Sequence, residues 1–133
     1  MSAGESVLGA DDRRLLATGA LLAGLGVVLG AMAAHALAPR LSERSLAAFE
    51  TGARYQLVHG IAIVLCAIVA ERLPGARTAG WLFAAGVLFF SGSLYGLSLT
   101  GAGFFGPITP LGGACFIAGW LLLAYRALRA GAR

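Results

Sequence analysis

Residues 15–38 read LLATGALLAGLGVVLGAMAAHALA, and from Leu15 to Ala38 no charge interrupts the chain. Such a run exceeds the roughly 20 residues that an α-helix needs to cross a hydrocarbon core of about 30 Å. Arg13 and Arg14 precede it, and Ala36, Leu37 and Ala38 close it in the A-x-A manner of a cleaved signal peptide. The run is longer than the roughly 7–15 apolar residues of a signal sequence, and Pro39 would stand just after the cut. The segment therefore reads as a retained membrane helix.

Three further runs follow it. Pro39 and Arg40 end the first, and Ser42 is placed to cap a second helix whose apolar part reaches Ala70 before Glu71, Arg72, Pro74 and Gly75 break it. Ala79 to Leu99 forms the third, ended by GAGFFGPITPLGG, and Leu111 to Tyr125 with its flanks forms the fourth, closing at Arg126. The expectation is an all-α integral membrane four-helix bundle, a single polytopic domain over residues 1–133 with spans at about 15–38, 50–72, 79–100 and 108–126. These runs are apolar all round, whereas the helices of a soluble bundle carry a polar face, so lipid must act as part of their solvent.

Composition agrees. Charged residues make up 12% of the chain, about half of the roughly 25% usual in soluble domains, and the mean hydropathy is +0.84. The basic residues are all arginines, and they fall between apolar blocks instead of forming a stripe that could follow a phosphate backbone, which argues against nucleic acid as a partner. With four spans, Arg13, Arg14, Arg72, Arg77, Arg126, Arg129 and Arg133 share one side, and Arg40, Arg44 and Arg54 belong to the other. The positive-inside rule then puts both termini in the cytoplasm. Cys66 and Cys115 lie within apolar runs, and no spacing of thiols resembles a zinc or redox motif, so no disulfide, metal or cofactor is expected.

The polar residues of the spans are few and unevenly distributed. Phe49 to Gly60 reads FETGARYQLVHG, and at 100° per residue Glu50 and Arg54 share one stripe of the helix while Gly52, Gln56, His59 and Ile63 share another, nearly opposite. The order of Glu50 and Arg54, acid first at i and i+4, favours an ion pair near the outer boundary. Gln56 and His59 fall deeper, on the small-residue face that should meet another helix. His35, Ser91, Ser93, Tyr95, Ser98 and Thr109 fall in the outer halves of their spans, so with Glu50, Arg54, Tyr55, Gln56 and His59 they are expected to form a polar layer in the outer leaflet. Such a layer suits either a pocket opening outward or a fastening between helices. Small residues recur at spacings of about four, including Gly26 and Gly30 on the first span and Gly92 and Gly96 on the third, where helices are expected to touch. Pro107 and Pro110 stiffen the last connection, which reads as a packed surface loop.

Five ordered motifs resemble a known family. They are Gly30-Ala31-Met32-Ala33-Ala34-His35-Ala36-Leu37, Phe49-Glu50-Thr51-Gly52-Ala53-Arg54-Tyr55-Gln56 with His59, Phe90-Ser91-Gly92-Ser93-Leu94-Tyr95, Gly106-Pro107-Ile108-Thr109-Pro110-Leu111-Gly112-Gly113, and Ala118-Gly119-Trp120. From Leu15 to Tyr125 the chain is similar to the YgdD-like small inner-membrane proteins, domain of unknown function 423, with transmembrane protein 256-like relatives in mitochondria. It departs at Met32, Ala33 and Val58, where family members often carry an aromatic, a glycine and an aromatic. The resemblance implies a multi-pass protein of the bacterial inner membrane and implies no reaction.

The expected function is a structural or accessory one in the lipid bilayer, within a homo-oligomer or a larger membrane complex. The alternative is a binder or transporter of a small, anionic solute or lipid, with the outward polar layer as its pocket. An enzyme is not expected, because no nucleophile, metal cluster or cofactor motif completes a site around the histidines and Glu50.

Overall fold

The computed structural model describes residues 7–131. Four long helices account for nearly all of them: α1 over Ala10–Leu37, α2 over Glu43–Val69, α3 over Ala76–Thr100 and α4 over Ile108–Ala130. A single 3-10 turn, Gly103–Phe105, precedes α4. All four are long and apolar enough to cross a membrane. At about 1.5 Å per residue, the 27 residues of α2 extend about 40 Å, so its ends project beyond the hydrocarbon.

Local chemistry sets the ends. The Ser42 hydroxyl accepts from the Ser45 amide at 3.2 Å and caps α2. Gly75 opens α3 in the left-handed region, at φ +96°, a conformation that a side chain would strain. Pro107 precedes α4 and Pro110 lies in its first turn, where a missing N–H leaves no helical bond unmade. Two helices widen into a π-helical turn within their length, α1 at Ala33–Leu37 and α3 at Val87–Ser91. The second of these places Ser91 against α2.

The bundle is built around α2. Half of its most apolar window is buried, compared with 17% for α1 and for α4. α1 packs on one flank of α2 and α3 on the other, while α4 packs on α3. The core comprises Leu15, Ala62, Ile63, Cys66, Ala67, Ala79, Phe83, Val87 and Phe116. It lies toward the end of the bundle that holds both termini. The outer surfaces of α1 and α4 are covered with exposed Leu, Val and Ile, the surface that lipid tails would solvate.

The two seams differ in construction. Between α1 and α2 the backbones almost touch: a Cβ at Gly60 would stand 2.6 Å from the Ala23 amide nitrogen, and one at Gly19 would stand 2.8 Å from the Gly60 carbonyl. Gly26 extends this seam, 3.1 Å from the Leu57 backbone by the same measure. Between α3 and α4, glycines also seat rings, Gly86 under Phe116 and Gly119 under Phe83, while at Gly112 a Cβ would collide with the Phe90 amide nitrogen. Of the four glycines expected at helix contacts, Gly26 meets α2 and Gly96 meets the Phe105 ring. At Gly30, on the cleft between α1 and α2, and at Gly92 a side chain would meet nothing within 4 Å.

Candidate functional site

The structure sorts the candidate polar residues into three sets. The first is a series of bonds that runs from the middle of the bundle toward the end away from the termini. Gln56 Nε2 donates to the Leu22 carbonyl of α1 at 3.0 Å, and Tyr95 of α3 donates to Gln56 Oε1 at 2.8 Å. One side chain thus fastens three helices. Beside it, Ser91 Oγ donates to the Gly52 carbonyl at 2.7 Å, and the Tyr95 ring lies over Gly52 and against Phe49. Ser93 and Thr109 share a hydrogen bond of 2.6 Å that joins α3 to the first turn of α4. Ser98 donates to the Leu94 carbonyl within its own helix.

The second set centres on His59. Its Nδ1 lies 2.8 Å from the Tyr55 carbonyl, and Trp120 Nε1 donates to its Nε2 at 3.1 Å. An indole N–H can only donate, so Nε2 accepts and Nδ1 carries the proton. The imidazole stacks on Phe116 with ring centroids 3.6 Å apart and packs against Phe83. Both nitrogens and one face of the ring are therefore occupied. His59 lies about 24 Å along α2, just past its midpoint toward the end with the termini, and so about a turn below Gln56. Tyr55 is 40% exposed at the rim of this aromatic cluster and packs on Phe90.

The third set faces outward. His35 is exposed on the π-helical turn of α1, and Glu50 and Arg54 are exposed on the stripe of α2 away from His59. The ion pair expected between Glu50 and Arg54 is not formed, since the ion pairs among the described residues are Asp11–Arg14 and Asp12–Arg77. The two side chains instead flank a cleft of about 470 Å³ between α1 and α2, floored by Gly26, Ala53 and Leu57. Gly30 and Val27 form its other wall.

Two features escape a reading of the sequence. Asp12 is fully buried, and its carboxylate takes a two-pronged bond from Arg77, Nε to one oxygen and Nη2 to the other at 2.7 Å. That pair ties the start of α1 to the start of α3. Its partners are 65 residues apart, and only the presence of a carboxylate in the first turn of one span and an arginine in the first turn of another hints at it. Trp120 is the other. In a one-dimensional reading it is an apolar residue of a lipid-facing helix, yet its indole holds the buried histidine.

Among the described residues, every buried side-chain nitrogen and oxygen has a hydrogen-bond partner. The network thus holds helices together and leaves no buried donor or acceptor waiting for a solute. No group of three His, Cys, Asp or Glu among those residues comes together as metal ligands would.

Residues 29–113, from the last third of α1 to the second turn of α4, match the family described as "Protein of unknown function (DUF423)". The chain belongs to this family. UPF0382 membrane protein YwdK of Bacillus subtilis is 41% identical over 84% of this chain and 93% of its own length. A UPF0382 membrane protein of Staphylococcus haemolyticus is 42% identical over 79% of this chain and 87% of its own, and one of Haemophilus influenzae is 41% identical over 74% and 81%. No solved structure matches the chain. The matched stretch of this DUF423 protein includes His35, the whole of α2 and the Ser91–Tyr95 segment, but stops short of Trp120. The DUF423 relatives are named as membrane proteins, in agreement with four helices able to span a bilayer.

Proposed function

We propose that this DUF423 protein is a structural or accessory component of the bacterial inner membrane, with cytoplasmic termini, that works by associating with a second copy of itself. The observation that carries this reading is the contrast between a satisfied interior and an unsatisfied outer cleft. Inside, the buried polar side chains are spent on fastening helices. Outside, Glu50 and Arg54 stand unpaired on a lipid-facing groove beside an open Gly30.

A charge at the centre of a membrane helix costs about 3 kcal/mol by insertion scales and less toward the interface, and Glu50 and Arg54 both lie in the outer half of α2. A two-fold axis along the membrane normal would set Glu50 of each copy against Arg54 of the other and so offset that cost twice. Gly30 would let the two α1 helices approach closely at the same place. This role uses the protein as a scaffold and requires no catalysis.

The test is disulfide trapping in membranes, on a chain carrying Cys66→Ala and Cys115→Ala. Val27→Cys, on the cleft wall, should give a covalent dimer, and Leu121→Cys, on the lipid-facing side of α4, should not. Glu50→Arg alone should abolish trapping, and adding Arg54→Glu should restore it. Equal trapping at both cysteine positions, or no effect of the charge changes, would refute the interface.

A further inference from the structure

The end of the bundle that carries the termini holds a second feature, distinct from the polar network and from the outer cleft. Arg72, Arg126 and Arg129 line one cavity of about 290 Å³ together with Pro74 and Ala130. That volume is close to the lower limit of about 300 Å³ for small-molecule pockets. The arginines come from two places, the connection between α2 and α3 and the last two turns of α4. None of the three takes part in an ion pair among the described residues. The neighbouring acid, Glu71, does not line this cavity; it lines an adjoining cleft with Val7, Leu8 and Ile68, and Arg72 borders both.

The backbone adds to the positive field. Gly75 starts α3 without a side-chain cap, and the carboxylate that reaches the first turn of α3, Asp12, is taken up by Arg77. A Cβ at Gly75 would stand 3.0 Å from Arg126 Cγ and 3.1 Å from its Nε, so the Arg126 side chain lies across the amino end of that helix. The partial positive charge of the helix terminus and the guanidiniums therefore converge on one space. Three like charges gathered around a cavity repel one another unless an anion joins them. Guanidinium groups match the oxygens of a phosphate in geometry as well as in charge.

The position of the cavity indicates the source of that phosphate. It lies at the end of α4, and Arg129, which lines it, also sits over the ring of the half-exposed Tyr125 at 5.3 Å. An aromatic with an arginine at the end of a span marks the head-group layer. We infer that Arg72, Arg126 and Arg129 form a binding site for a phosphate-bearing anion, with the head group of an anionic phospholipid as its occupant at the membrane surface.

The inference can be tested on the full chain in a neutral detergent, with phosphatidylglycerol and phosphatidylcholine as competing lipids and retained lipid read by native mass spectrometry. Phosphatidylglycerol should be retained in preference. Arg126→Gln should weaken its retention about fivefold, as expected for one basic residue near an anionic surface, and the triple change with Arg72→Gln and Arg129→Gln should remove the preference. Arg13→Gln with Arg14→Gln, on the same end of the bundle but outside the cavity, should leave the preference intact.

A parallel arm titrates inorganic phosphate. Displacement of the lipid at millimolar phosphate that depends on Arg126 supports the site and makes the free anion its ligand. No displacement together with lipid preference supports the phospholipid. Equal retention of both lipids, or equal losses from the cavity and control variants, would overturn the inference. An unchanged elution volume and melting temperature for each variant separates loss of binding from loss of fold.

Discussion

The two flanks of α2 are held by different means. Toward α1, glycines and alanines let two backbones approach until a single added carbon would collide with an amide. Toward α3 and α4, aromatic rings fill the space, Gly86 and Gly119 serve as their seats, and the backbones meet closely at Gly112 and Phe90. Lipid tails are as apolar as leucine, so no hydrophobic force sorts helices together within a bilayer, and contact must come from close packing and from polar links. The α1 seam uses close approach, with Gln56 bonded to the Leu22 carbonyl; the aromatic side uses filled volume, with Trp120 bonded to His59. Both flanks should thus resist added atoms at their glycines, and the aromatic flank should in addition be sensitive to removed ones.

Substitutions can break that contrast, beginning with the largest effect. Phe116→Ala removes a ring that touches His59, Phe90 and Gly86, and should cost about 3–5 kcal/mol of stability in detergent, the range for emptying an aromatic from a core. Chemical or thermal unfolding followed by tryptophan fluorescence would measure it. Gly60→Leu should come next, at about 1–3 kcal/mol, because the Ala23 backbone cannot give way. The same change at Gly92, where a side chain would meet nothing within 4 Å, should leave the melting temperature unchanged. If Gly60→Leu were as mild as Gly92→Leu, the close seam would not exist.

Smaller effects sharpen the comparison. Tyr95→Phe deletes the hydroxyl that donates to Gln56 and should cost about 0.6 kcal/mol, the average for a hydrogen bond between membrane helices. Trp120→Phe keeps a ring but removes the donor to His59, and a loss of similar size is expected by the same measurement. Glu50→Gln should change the stability of the single chain least of all, by less than about 0.5 kcal/mol, since its side chain is exposed and forms no ion pair. A large loss there would mean that Glu50 has a partner within its own chain.

Much of this architecture is visible in one dimension. Charge-free runs longer than a bilayer is thick, ended by Pro39, by Pro74 with Gly75 and by Gly101 with Pro107, mark out four helices whatever their packing. The division of α2 into a stripe with Gln56 and His59 and a stripe with Glu50 and Arg54 also follows from the 100° step, and burial respects it. The i, i+4 rule then misleads for Glu50 and Arg54. It describes what two side chains can reach, and here both turn to the edges of a cleft that a single-helix wheel does not contain. Gly30 and Gly92 likewise have the spacing of contact residues, yet a side chain at either would meet nothing within 4 Å.

That the chain is a set of membrane helices can be read residue by residue, because the cost of burying backbone and charge in hydrocarbon acts on each segment separately. Which polar groups meet depends on the packed bundle. Asp12 finds Arg77, His59 finds Trp120, and Arg72 gathers with Arg126 and Arg129 around one cavity. Each of these encounters joins segments far apart in the chain. Their partners are chosen by how helices cross and how rings fill the gaps, which no local pattern of residues encodes.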